Sequence, residues 1–105
     1  MDLETPEHFS AEAKSLWLAI LQEYDLESSE KAILKVALEN YDRMQACREQ
    51  IKEEGFTIID PSGRMRAHPA LTAEKAAASV YLQAFRLLGL GAEEPRPVGR
   101  PGGYI

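Results

Sequence analysis

Two arginines separated by one residue carry the most distinctive chemistry of this sequence. Arg64 and Arg66 follow the run Asp-Pro-Ser-Gly at 60–63, which is typical of a tight turn. Side chains two apart on a strand share one face, and a guanidinium donates paired hydrogen bonds to phosphate oxygens. The spacing therefore predicts a small basic patch on one strand face, with the chemistry to bind phosphate. The alternative is a solvated strand face whose charges keep an exposed edge from aggregating.

Three lysines extend the set of candidate phosphate contacts. Lys75 follows the two arginines, whereas Lys31 and Lys35 lie four residues apart in an earlier segment. Such a pair shares one face of a helix. Asp25, Glu27 and Glu30 surround the start of that helix and repel phosphate, so the arginines are the stronger candidates.

The charge of the chain is unevenly distributed. The formal net charge is −5, and residues 1–30 carry one lysine against eight acids, whereas residues 64–86 carry four bases against one acid. Phosphate neutralisation dominates nucleic-acid affinity, so a single copy is not expected to bind tightly. Several copies side by side would join the small basic patches into a continuous band.

The sequence offers no pattern for catalysis or for a bound cofactor. No nucleophile-base pair, phosphate-binding loop or carboxylate pair has a usable spacing, so we predict that the protein is not an enzyme. One cysteine, Cys47, and two histidines, His8 and His68, make a zinc site improbable. We expect His68, which precedes Pro69, to cap the third helix or to pack at the turn, and a phosphate contact is the alternative. The single cysteine fits a reducing compartment, and no apolar run approaches the roughly 20 residues that span a membrane.

Periodicity and turn signals predict a mainly α-helical fold with one hairpin. A first helix is predicted over about 11–24 behind Ser10, and a long second helix is predicted with Ser28 or Ser29 as its N-cap and Gly55 as its end. A β-hairpin at 56–68 precedes a third helix that ends at Leu88. We therefore expect two antiparallel long helices, a shorter N-terminal helix and the inserted hairpin. The predicted divisions are an arm at 1–9, a domain at 10–90 and a flexible tail at 91–105.

Apolar stripes on these elements suggest how copies of the chain associate. In the second helix, apolar residues and Asn40 recur at alternating steps of four and three, which is typical of a helix-packing seam. This seam packs either inside one subunit or between subunits, where Asn40 would fix the register. The candidates for a contact between subunits come from the hairpin and from the two long helices: Ile58, Ile59, Met44, Ile51, Tyr81 and Phe85.

Five short runs in a fixed order resemble one protein family. They are AEAKSLW at 11–17, EEGFT at 53–57, PSG at 61–63, HPA at 68–70 and LLGL at 87–90. Together they are similar to the small subunits of phage terminases of the P27 type. The acidic run GAEE at 91–94 departs from the family, in which a basic stretch follows sooner.

The resemblance implies a DNA-packaging component of a tailed phage, a prophage or a phage-like particle, acting in the host bacterial cytoplasm. Such a subunit is not an enzyme, and it assembles into a homo-oligomeric ring of about 8–10 copies. It engages phage double-stranded DNA and recruits or regulates the large terminase subunit, which carries the ATPase and the nuclease. The expected contacts with that subunit lie in the tail: Arg96, Arg100, Tyr104 and Ile105.

Two other classes of function remain open from the residues alone. A small helix-turn-helix regulator would place the start of the second helix, with Lys31 and Lys35, in the major groove of DNA. A protein-interaction adaptor would use the apolar stripes without nucleic acid. The number of copies in the assembled protein distinguishes a ring-forming terminase subunit from the regulator and from the adaptor.

Overall fold

A computed structural model describes residues 5–90 and contains three helices and one antiparallel hairpin. The helices are α1 at Ala11–Glu23, α2 at Ser28–Glu54 and α3 at Pro69–Leu88, and the strands are β1 at Thr57–Ile59 and β2 at Met65–Ala67. The long helices α2 and α3 pack against each other, and α1 packs on α2. The predicted mainly α-helical fold with a hairpin before the last helix is confirmed.

The start of α1 is fixed to α2 by one hydrogen-bonded residue. Ser10 Oγ accepts a hydrogen bond from the Ala13 amide at 3.0 Å, which caps the helix as predicted. The amide and the hydroxyl of Ser10 both donate to the carboxylate of Asp42 on α2. Phe9, from the arm predicted at 1–9, is buried with its ring edge against Trp17. The residues before α1 therefore belong partly to the core.

The cap of α2 differs from the prediction. Glu27 is the N-cap residue, and its amide donates to the Glu30 carboxylate at 2.9 Å, as in a capping box. Ser28, predicted as a possible cap, is instead the first helical residue. The helix ends at Gly55, as predicted. This residue has a φ of +87°, a backbone conformation that glycine adopts readily and that leaves the helix.

The core lies where α1 crosses α2. Leu34 and Leu38 of α2 are fully buried and cluster with Phe9, Ala13 and Trp17. The predicted seam did not include these two leucines, because α2 packs against a helix on each of two sides and buries a wider stripe than one seam. Half-buried apolar side chains surround the cluster, among them three from α3: Tyr81, Phe85 and Leu88.

The seam of α2 is packed inside the subunit. Met44 and Ile51, predicted at an interface between subunits, are only 7% and 8% exposed, which assigns them to the interior of a single chain. Asn40 donates to the Val36 carbonyl at 2.9 Å and accepts from Arg43 at 3.4 Å. Since its polar groups are bonded within α2, the structure gives Asn40 no part in setting a register between copies.

A buried histidine joins the end of α2 to the start of α3. His68 is 4% exposed, and its Nδ1 accepts from the Ala70 amide at 3.0 Å as the N-cap of α3, in agreement with the predicted cap. Its Nε2 lies 2.7 Å from Glu54 Oε1 at the last residue of α2. Because Nδ1 must accept, the proton resides on Nε2 and is donated to Glu54. The imidazole thus fixes both ends of the segment that contains the hairpin.

Replacing His68 by Ala is expected to lower the free energy of unfolding by about 2 kcal/mol, because the cap and the hydrogen bond to Glu54 are both removed. Urea denaturation of matched variants measures this. His68→Asn retains a capping oxygen and should lose about half as much, whereas Glu54→Gln retains an acceptor for Nε2 and should lose less than about 0.5 kcal/mol. An Ala variant as stable as the original chain would contradict the assigned role.

Candidate nucleic-acid interface

The hairpin that carries the two arginines stands apart from the helices. Its register pairs Thr57 with Ala67, Ile58 with Arg66 and Ile59 with Met65. Within residues 5–90 the strands pack mainly against each other, and the ladder continues through the His68 amide, which donates to the Phe56 carbonyl. The hairpin is therefore held at its base, while most of its surface is open to solvent.

The turn of the hairpin is organised by one carboxylate. Asp60 Oδ1 accepts from the Ser62 hydroxyl at 2.6 Å, the Ser62 amide at 2.9 Å and the Arg64 amide at 2.9 Å. Gly63 completes the turn with a φ of +87°, which a residue with a side chain rarely adopts. The Ser62 hydroxyl, followed by the Arg64 amide, holds the pKa of the Asp60 carboxyl below its ordinary value.

Both arginines are exposed, but their charges are partly offset by this carboxylate. Arg66 Nη1 lies 3.7 Å from Asp60 Oδ2, and Arg64 Nε donates weakly to Ser62 Oγ at 3.4 Å. Arg64 precedes β2, so only Arg66 belongs to a strand face, where it lies opposite Ile58. The predicted strand face thus holds Arg66, with Arg64 at the residue just before the strand. The two side chains still border a common surface depression with Asp60.

The three lysines are divided between the two ends of the subunit. Lys75 is exposed in the first half of α3, on the side of the molecule from which the hairpin emerges. Lys31 and Lys35 lie near the start of α2, roughly 30 Å along the helix from its junction with the hairpin. The predicted DNA contacts therefore form two separate basic sites, one around the hairpin and one at the opposite end.

The second basic site includes His8, which is distant in sequence from the two lysines. Lys31 and Lys35 line a surface pocket with Ser28, Trp17 and His8. His8 Nε2 lies 2.8 Å from Glu39 Oε2, whereas neither lysine forms an ion pair within residues 5–90. No signal in the sequence indicates that His8 lines the same pocket as Lys31, because this arrangement depends on how the chain before α1 folds back onto α2.

The remaining predicted contacts differ in their exposure. Ile59 is 63% exposed and Ile58 is half-buried, so the hairpin remains available to a second copy. Tyr81 and Phe85 are half-buried and pack in a row with Tyr41, with ring centres 5.6 and 5.0 Å apart. Burial, followed by the proximity of Tyr41, raises the pKa of Tyr81. The predicted contacts with a large subunit, Arg96, Arg100, Tyr104 and Ile105, lie outside the described residues.

Two kinds of feature are absent from the described part of the chain. Residues 5–90 contain no cluster of His, Cys, Asp or Glu side chains arranged to hold a metal ion. Over the same residues, no helix is both long and apolar enough to cross a bilayer. The fold and the site define a small helical protein with a projecting basic hairpin.

Comparison with known families identifies the group to which this helical protein belongs. A family model described as "Phage terminase, small subunit" matches residues 13–97, which is most of the chain. The chain belongs to this family of phage DNA-packaging proteins. The match is to the small subunits in general, so the P27 type remains a prediction. No similar sequence was found among curated proteins, and no similar chain among solved structures.

Replacing Asp60 by Ala is expected to loosen the turn, because the Ser62 and Arg64 amides lose their acceptor. Hydrogen exchange of those amides should accelerate, while exchange in α2 stays unchanged. Asp60→Asn retains an acceptor oxygen and should preserve the turn. In the original chain, the contribution of Asp60 to stability is present above the ordinary pKa of a carboxyl and is lost as the pH falls through the lowered pKa. Equal exchange in the Ala and Asn variants would contradict this role of the carboxylate.

Proposed function

We propose that the protein is the non-catalytic DNA-binding subunit of a phage packaging machine, assembled as a ring of about 8–10 copies. The observation that carries this proposal is the hairpin, which holds Arg64 and Arg66 away from the acidic body of the subunit. In a ring, one hairpin per subunit repeats the basic site around the axis. The proposed ligand is phage double-stranded DNA, bound through its phosphates.

The balance of charge favours many weak contacts over a few strong ones. Asp60 lies beside Arg66 and reduces the positive charge that one hairpin offers. Phosphate contacts release condensed counterions, and the favourable free energy grows with the number of phosphates neutralised. A ring that presents the same pair of arginines several times reaches useful affinity while each subunit binds loosely. Loose contacts also suit a protein that must let DNA pass to the packaging motor.

A helix-turn-helix regulator would instead bind through the start of α2. The observation in its favour is that Lys31 and Lys35 are unpaired among the described residues and line one pocket. Four acids at residues 23–30 oppose it, since they lie at the end of the helix that would enter the DNA groove. The hairpin is therefore the first site to test and the α2 lysines are the second.

Changing Arg64 and Arg66 together to Ala is expected to weaken DNA binding and to reduce the slope of log K against log salt by about 0.9 for each phosphate that is no longer neutralised. Asp60→Asn should act in the opposite direction, because it removes a negative charge beside Arg66. Titration of labelled duplex DNA at several salt concentrations measures both effects.

Three controls accompany this titration. Arg86→Ala removes one exposed charge at the far end of α3 and should leave affinity and slope nearly unchanged. Native mass spectrometry should give several times the mass of one 11.7 kDa chain for every variant. A mass of one or two chains for the original protein would exclude the ring. Unchanged binding in an intact Arg64/Arg66 variant, with loss of binding in Lys31→Ala/Lys35→Ala, would transfer the DNA site to α2.

The proposed partner in packaging is the large terminase subunit, bound through residues 91–105. Arg96, Arg100, Tyr104 and Ile105 are the basic and bulky side chains of that segment, which is otherwise rich in glycine and proline. Removing residues 91–105 is expected to preserve the ring mass and DNA binding but to abolish co-purification with the large subunit. The matched variant Arg96→Ala/Arg100→Ala should weaken co-purification, and a truncated chain that no longer assembles would show that the tail is structural.

A further inference from the structure

Two exposed apolar surfaces lie on this chain without a partner among residues 5–90. The first is the outer face of the hairpin, where Ile59 and Met65 pair across the strands and are 63% and 71% exposed. The second is a groove between α2 and α3. It has a volume of about 330 Å³ and is lined almost entirely by apolar side chains, namely Ala32, Ile33, Val36, Val80, Ala84 and Leu87, with Gln83.

The groove is an indentation and not simply a patch of scattered apolar residues. Leu87 is 72% exposed at its rim, and Val36 and Val80 line its walls. A volume of this size is near the lower limit for pockets that enclose small ligands, so it admits a few side chains rather than a helix. Two neighbouring side chains of a hairpin are small enough to fit into this groove.

The two surfaces cannot meet within one subunit. The hairpin emerges where α2 ends and α3 begins, whereas Leu87 is close to the other end of α3. Roughly 27 Å of helix separates Leu87 from the first residue of α3. The described strands pack mainly on each other and do not fold back along the helices. A contact between the two surfaces therefore requires a second copy of the chain.

Charge favours this head-to-tail contact over a symmetric one. The hairpin at 57–67 carries Arg64 and Arg66 against Asp60, and residues 23–30, which run from the end of α1 into the first turn of α2 just before the groove-lining Ala32, carry four acids and no base. That end also holds the three bases Lys31, Lys35 and Arg86, the first two of which form the second basic site, so its net charge is only −1. Pairing two hairpins would bring like charges together, whereas hairpin on groove brings opposite charges together.

We infer that the Ile59–Met65 face of one hairpin inserts into the α2–α3 groove of a neighbouring copy. The inference rests on the proposed ring and specifies how its subunits join. The contact uses a different surface on each partner, so it is heterologous and closes into a ring when the rotation between copies permits. Arg66 lies on the opposite face of the hairpin and stays accessible to DNA.

Leu87→Arg is expected to weaken each contact between copies by roughly tenfold or more, because it places an unpaired charge in an apolar groove. Native mass spectrometry should then show mainly single chains at concentrations where the original protein is assembled. Leu82→Arg is the matched control, since Leu82 is 53% exposed on α3 but does not line the groove. This variant should assemble into the same number of copies as the original protein. Thermal unfolding of both variants establishes that each is folded.

Cross-linking tests the same contact without disrupting it. In a Cys47→Ala background, the variants Ile59→Cys and Leu87→Cys should form a reducible two-chain product when mixed and oxidised, whereas neither should do so alone. A disulfide requires Cα atoms within about 7 Å, which the length of α3 forbids inside one chain. The double variant should give a ladder of linked chains.

The outcomes separate this inference from the proposed ring. An intact ring for Leu87→Arg, or an assembled mixture without the two-chain product, overturns the hairpin-to-groove contact and leaves the ring standing. The cross-link is also absent if residues 91–105 or another protein fill the groove, and that result likewise overturns the hairpin-to-groove contact. An original chain that is already a monomer overturns both proposals.

Discussion

The buried imidazole of His68 is the interaction on which the placement of the hairpin depends. It accepts from the Ala70 amide and donates to Glu54, so the first turn of α3 and the last turn of α2 are held by one side chain. Its own amide bonds to Phe56 at the base of β1. Because helix pairing alone leaves the angle of an inserted hairpin free, these three bonds determine where the hairpin projects. The exposure of its strands is a consequence of this anchoring at the base alone.

A hairpin without support from a helix must be ordered by its own polar groups. Asp60 accepts three hydrogen bonds from the turn, and a glycine supplies the unusual backbone conformation. The same carboxylate lies beside Arg66, so local order is gained at the expense of local positive charge. This compromise explains why the basic site of one subunit is modest. Affinity for a polyanion then depends on how many copies act together.

The sequence predicted the elements well because their signals are local. Gly55 and Gly89 end helices, Ser10 begins one, and the Pro-Ser-Gly run marks the turn. The cap of α2 is Glu27 and not the predicted serine, because Glu27 and Glu30 form a reciprocal pair of hydrogen bonds that the serine signal did not indicate. The full burial of Leu34 and Leu38 was not predicted, since it depends on α1 crossing α2. The separation of the lysines from the arginines likewise follows from the antiparallel path of α2 and α3.

The alternation of side chains along a strand allows one short hairpin to serve two purposes. Ile59 and Met65 face one way, and Arg66 faces the other beside Ile58. Apolar side chains that are more than half exposed on a hairpin add little to the stability of the subunit, and they are a hazard unless another surface covers them. A basic side chain on the same face would resist burial in an apolar groove, since its charge would lose water without gaining a partner. Segregating the two kinds of residue on opposite faces removes this conflict, so that assembly through one face leaves the charge on the other in water, where phosphates can reach it.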